Sequence, residues 1–323
     1  MKDHLGRKID YLRVSVTDRC NLRCIYCMPE QGVAYKSHPE ILTYEEIERL
    51  VRIGAGLGIR RVRLTGGEPL VRQGLVDLVE ALRAIPGIED IALTTNGTLL
   101  APVAAKLRAA GLRRVNISLD TLSPEKYLAI TRRDELKEAM AGIEAALAAG
   151  LDPVKINVVA VAGVNDDEIR DMAALTLRRL VHVRFIELMP LGEDMDWAAT
   201  HVLPIAEVRR RVEQVGALLP ASVTGNGPAE AWRLPGGLGT VGFIAALSES
   251  FCMRCNRLRL TADGRLKPCL SSDLEVDVRG RLRDGAGDEA LRQAFAQALD
   301  LKPAHHSLLR YRQHARVMYQ IGG

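Results

Sequence analysis

Six short runs of β-branched and aliphatic residues, each followed by a stretch of helical periodicity, constrain this chain more than any other feature. The runs span 12–16, 60–64, 90–94, 114–119, 154–161 and 182–188, and the helical stretches 44–57, 75–85, 101–110, 135–149 and 166–180. Thr43 and Glu46 have the spacing of a capping box that opens the first helix. A strand that runs parallel to its predecessor needs a crossover about as long as a helix. The rhythm therefore predicts an α/β fold with a parallel sheet. An open doubly wound sheet and a partial barrel both satisfy it. After Leu203 the pattern changes. A basic helix at 205–215 leads to the Gly- and Pro-rich stretch 220–228, followed by short strands at 231–234, 240–246 and 257–262 and a helix at 288–298. The chain is thus expected to divide into a core of residues 5–220 and an α+β domain of residues 221–323.

The unusual polar residues gather where those strands end. Cys20–Cys27 follows the first run, Thr65-Gly66-Gly67-Glu68-Pro69 the second, Thr94-Thr95-Asn96-Gly97 the third and Ser118-Leu119-Asp120 the fourth. Lys155 and Asn157 lie on the fifth run, and Glu187 and Met189 close the sixth. Parallel α/β proteins build their active sites at the carboxyl ends of strands, and this coincidence points to an enzyme. A net charge of +4 is too mild for a nucleic-acid-binding tail, and 4% aromatic residues supply few stacking platforms for single strands. No apolar stretch is long enough to cross a bilayer, and residues 1–10 contain no signal-peptide core. The expectation is a cytoplasmic protein with no nucleic-acid or membrane partner.

The six cysteines fall into two groups of three. Cys20, Cys24 and Cys27 have the spacing C-x3-C-x2-C. A structural zinc site takes four ligands, for which only His38, eleven residues on, is near in sequence. A 4Fe–4S cluster also takes four cysteines, so three would leave one iron free to bind a small molecule. Cys252 and Cys255 are followed, after thirteen intervening residues, by Cys269, and the nearest histidines are His201 and His305. Arg257 and Arg259 alternate along a strand within that span and so share a face. An open iron beside two guanidinium groups would suit an anionic ligand.

The first trio, with Tyr26 before its third cysteine, resembles the radical S-adenosylmethionine (SAM) superfamily. Gly66-Gly67-Glu68-Pro69 looks like that superfamily's motif for the methionine end of SAM. The resemblance implies a partial (βα)6 TIM-type barrel. Along nearly the whole chain the sequence resembles the GTP 3′,8-cyclase family of molybdenum-cofactor biosynthesis, least closely over residues 192–238. The matching stretches include Leu5-Gly6-Arg7, both trios, Arg257-Leu258-Arg259 and the terminal Gly322-Gly323. By resemblance, Cys20, Cys24 and Cys27 hold one 4Fe–4S cluster, and Cys252, Cys255 and Cys269 hold a second in the C-terminal domain. Tyr26, Gly66, Gly67, Glu68, Ser118 and Met189 match positions that hold SAM. Arg13, Arg63, Thr94, Lys155, Arg257 and Arg259 match positions that hold GTP, and Arg257, Arg259, Gly322 and Gly323 match positions that support catalysis. The implied product is (8S)-3′,8-cyclo-7,8-dihydroguanosine 5′-triphosphate. The implied partners are a flavodoxin- or ferredoxin-type reductant and a downstream cyclic pyranopterin monophosphate synthase, and a homodimer is compatible with this reading.

Overall fold

The computed structural model describes residues 1–191, 194–225, 227–306, 308 and 316–322. The six expected strands form as β1 (Tyr11–Ser15), β2 (Arg61–Thr65), β3 (Asp90–Thr95), β4 (Arg114–Ser118), β5 (Val154–Ala160) and β6 (His182–Glu187). Each matches its expected run to within a residue. All six are parallel and pair in chain order. A doubly wound sheet reverses its strand order at a switch point, and this sheet has no such reversal. With right-handed crossovers, every helix then lands on one face and the sheet curls into a partial (βα)6 barrel.

The helices of that outer layer are α1 (Tyr44–Gly56), α2 (Leu75–Arg83), α3 (Ala104–Ala110), α4 (Pro124–Thr131), α5 (Leu136–Ala148) and α6 (Ile169–Arg178). The capping box forms, with the Thr43 side chain accepting from the Glu46 amide at 3.2 Å. The start of α3 differs from expectation because Pro102 disfavours helical backbone at Ala101, leaving a turn before Ala104. Under these helices the strands bury one apolar face, including Leu12, Val62, Leu64, Leu93, Ile117 and Phe185. Full burial of each such side chain contributes about 1.5–3 kcal/mol. The alternate residues face the barrel interior, and many are polar. Arg13 is level with Arg63 on one side and Arg259 on the other, Asn116 with Lys155, and Asn157 with Arg184.

After α7 (Met195–Thr200) and α8 (Ile205–Glu213), the chain is α+β, but its strands do not form a sheet of their own. The strands β7 (Leu219–Ala221), β8 (Glu230–Arg233) and β9 (Thr240–Ile244) extend the sheet beyond β6, with β9 parallel to it. The strands β10 (Arg257–Leu260), β11 (Arg265–Lys267) and β12 (Val276–Asp277) extend it beyond β1, with β10 parallel to it. One twelve-stranded sheet results. The helices α9 (Arg279–Arg283) and α10 (Asp288–Asp300) follow, and α10 packs against α1. The chain ends on the short α11 (Met318–Ile321). No helix among the described residues is long and apolar enough to cross a membrane.

Candidate active site

The barrel interior opens into a cavity of about 340 Å3. Both cysteine trios line it, as do Tyr26, Gly66, Gly67, Glu68, Ser118, Met189, Arg13, Arg63, Thr94, Arg257 and Arg259. Residues some 250 positions apart in sequence therefore face one space. Lys155 is not among the lining residues. Its ammonium donates to the carbonyl of Thr224. Gly323 lies outside the described residues, but Gly322 does not. Its carbonyl accepts from Arg259 Nη1 at 2.5 Å, which puts the end of the chain against the inner arginines. Gly322 has a φ of +80°, and a Cβ there would meet Thr65 Oγ1 at 2.4 Å. A side chain would fit neither the backbone nor the space.

The first trio sits on the loop that follows β1. The loop rests on α4, where the Arg23 and Ile25 amides donate to the carbonyls of Thr131 and Ile130. Arg132 Nη1 donates to the carbonyls of Arg23 and Met28. On its other side the loop continues the β1–β2 seam through Gly67 N to Thr17 O at 2.8 Å and Glu68 N to Arg19 O at 2.7 Å. Gly67 is required there by close approach, because a Cβ would stand 2.4 Å from the Arg19 carbonyl oxygen. Glu68 is 1% exposed and holds the turn after β3, accepting from the Asn96 and Leu70 amides and from Thr95 Oγ1. Both of its oxygens are therefore engaged by protein donors. Asn96 in turn donates to Asn21 on the cysteine loop at 2.8 Å.

Burial raises the thiols of this trio: Cys20 to about 11, with Glu68 adding to the shift, Cys27 to about 12, and Cys24 well above its ordinary range. Next after burial, Cys27 raises Cys24, and Cys20 raises Cys27. Three half-buried sulfurs in electrostatic contact become thiolates together only if a cationic group joins them. A soft, metal-rich cluster fits that donor set. Among the described residues, no three His, Cys, Asp or Glu side chains are grouped so as to hold a single metal ion. Beside the trio, the Tyr26 hydroxyl donates to Asp120 Oδ2 at 2.5 Å, and burial raises the Asp120 carboxyl to about 6.

The second trio has a different electrostatic setting. Burial pushes the Cys255 thiol up, but Arg257 and Lys302 outweigh it and bring it down to about 7. Lys302 Nζ donates to Cys255 Sγ at 3.5 Å, the His306 amide to Cys252 Sγ at 3.3 Å, and Cys269 Sγ lies 3.5 Å from Ser271 Oγ. This donor set also fits a cluster. Between the trios the arginines crowd together. Burial lowers Arg13 well below its ordinary range, reinforced by Arg259, and lowers Arg259 to about 10, reinforced by Arg257. Arg184 on the opposite wall falls to about 9 through burial and the nearby Arg63. Burial and Arg184, Arg114 and Arg63 take Lys155 to about 6. Concentrated positive charge on buried side chains around one cavity is suited to a polyanion.

Sequence reasoning missed Arg184, Arg132 and Lys302. The first could have been found by extending the alternation of Lys155 and Asn157 to the next strand. The other two act through long-range contacts that leave no local signature. Glu187, noted at the end of β6, is a structural clasp that accepts from the amides of Ile205, Leu247 and Ser248.

Comparison with known proteins agrees with this geometry. A model of the Radical SAM superfamily matches residues 14–176, and one of the Molybdenum Cofactor Synthesis C family matches residues 181–308. Curated relatives named GTP 3′,8-cyclase from Heliobacterium modesticaldum and Moorella thermoacetica are each 54% identical, over 100% of both chains. The crystal structure of Streptococcus suis SuiB superposes with a TM-score of 0.60 at 14% identity, covering 92% of this chain and 67% of that one, and shares the fold alone. The chain is a radical SAM enzyme that belongs to the GTP 3′,8-cyclase family.

Proposed function

We propose that this enzyme carries two 4Fe–4S clusters and converts GTP into (8S)-3′,8-cyclo-7,8-dihydroguanosine 5′-triphosphate, the first step of molybdenum-cofactor biosynthesis. The observation that carries this reading is one cavity lined by two separate cysteine trios and by Arg13, Arg63, Arg257 and Arg259. Cys20, Cys24 and Cys27 would hold the cluster that binds SAM, whose chemistry there would be reductive cleavage of SAM to methionine and a 5′-deoxyadenosyl group that takes hydrogen from C3′ of GTP; an external reductant would supply one electron for that cleavage and a second, with a proton, once C3′ has joined C8 of the base. The protein's own part is to position and enclose. Tyr26, held by Asp120, and the flat backbone at Gly66 and Gly67 form the SAM side, with Ser118 and Met189. Glu68 acts there by fixing the turn after β3.

The arginines, with Thr94, receive the triphosphate, and their crowding is relieved when it binds; Lys155, outside the cavity lining and engaged with the Thr224 carbonyl, does not reach it. Cys252, Cys255 and Cys269 would hold the second cluster, which would supply a binding site for the guanine base. Gly322 reaches Arg259, and the terminal pair Gly322 and Gly323 support turnover. Residues 5–220 thus carry the SAM side and residues 221–323 close the cavity with the second cluster. The reaction needs a flavodoxin- or ferredoxin-type reductant and a cyclic pyranopterin monophosphate synthase to take the product, in the cytoplasm. The decisive test is anaerobic turnover with SAM, a strong reductant and GTP deuterated at C3′. Deuterium should appear in 5′-deoxyadenosine; cleavage of SAM with the label left in GTP would overturn the assignment.

A further inference from the structure

Lys302 is 2% exposed, and each proton of its ammonium is used. It donates to Cys255 Sγ at 3.5 Å and to the carbonyls of Arg257 and Pro268, both at 2.7 Å. The acceptors are a thiol of the second trio, the first residue of β10 and the residue before Cys269. The backbone around Lys302 is anchored to the same trio. Arg7 donates to the carbonyl of Pro303 and to that of Cys252, each at 2.9 Å. Arg7 is itself held by a buried 2.6 Å ion pair with Asp3. The His306 amide completes the arrangement on Cys252 Sγ.

A buried ammonium needs a negative partner as well as hydrogen bonds. Two of the three acceptors are neutral carbonyls, so among the acceptors only the sulfur of Cys255 can carry that charge, with Cys269 adding to it from nearby. We propose that Lys302 is a positioning residue of the second cluster: its N–H···S bond orients Cys255 and raises the cluster's reduction potential, while its carbonyl bonds tie the cluster to the strand that bears Arg257 and Arg259. Hydrogen bonds and positive charge at cluster sulfurs favour the reduced state. This inference rests on reading the second trio as a cluster site.

The test uses a background in which Cys20, Cys24 and Cys27 are replaced by serine, so that only the second cluster reports. After anaerobic reconstitution this background should hold about four irons. A background without iron would overturn the cluster reading itself. With the cluster present, Lys302→Met should shift the reduction equilibrium at least tenfold toward the oxidised form, about 59 mV for one electron, in an EPR-monitored titration. It should also release iron faster to a chelator, and Lys302→Arg should restore most of both properties. Lys302→Gln, uncharged but able to donate, reads the charge alone if Lys302→Met does not fold, and should still shift the equilibrium toward the oxidised form. An unchanged midpoint and chelation rate would overturn the role of Lys302. Failure of both uncharged variants to fold would make it a purely structural cation.

Discussion

Replacing Gly67 by alanine tests how the SAM-side loop is built. The added Cβ would stand 2.4 Å from the Arg19 carbonyl oxygen and 2.8 Å from that of Asp18. Both obstacles are backbone, so no side chain can swing aside. The seam must part, at the expense of the bonds from Gly67 N to Thr17 O and from Glu68 N to Arg19 O. Each bond contributes about 0.5–1.5 kcal/mol net, and overpacking of a tight site costs about 1–3 kcal/mol. Breaking the bonds relieves the overlap, so the two figures are alternatives rather than a sum, and a loss of ~2–3 kcal/mol is expected. Urea unfolding of the metal-free chain would read it as a lower midpoint at unchanged slope. Gly56→Ala is the control: a Cβ there meets nothing within 4 Å, so that variant should be neutral or slightly more stable. Reconstituted Gly67→Ala should lose iron selectively at the first trio. An unfolding midpoint equal to wild type, with full iron at both trios, would refute the close-approach argument.

Arg257→Ala should weaken GTP binding about ten- to hundredfold, since a charge-assisted bond is worth ~1.5–3 kcal/mol; equilibrium dialysis in the absence of SAM would measure it. Deleting Gly322 and Gly323 should leave the clusters and GTP affinity nearly intact while reducing turnover, and full turnover in the truncated chain would remove the tail from the mechanism. Asp120 gives a pH signature: its folded value near 6 lies above its ordinary 3.8, so the native state holds the proton more tightly. Its contribution is present in full below about pH 4 and is lost as pH rises through 6, a change of up to ~3 kcal/mol. Stability of Asp120→Asn should therefore fall less than wild type between pH 4 and 6.

The six core strands were legible because alternation of apolar and polar residues is a local pattern, and so were the cysteine spacings. The helix α4 was not, because Pro124–Thr131 is only weakly amphipathic, although its end supports the cysteine loop. The extension of both sheet edges was equally hidden. Nothing near Arg257–Leu260 announces that it pairs with Tyr11–Ser15, and a four-residue strand carries no mark of its partner. Lys302 follows the same rule: its identity is visible in sequence, but its three acceptors come from segments 34 to 47 residues away.

The pairing of β10 with β1 also has a consequence for how the protein is made. The first strand to leave the ribosome has its outer edge unpaired until a partner some 250 residues later is synthesised. At about 5–20 residues per second that wait is roughly 12–50 s, during which an apolar, hydrogen-bonding edge is open to other chains. The second cysteine trio arrives with the strand that ends the wait. Completion of that trio and closure of the sheet edge are therefore one late event in synthesis, because Cys252 and Cys255 precede β10 and Cys269 follows it.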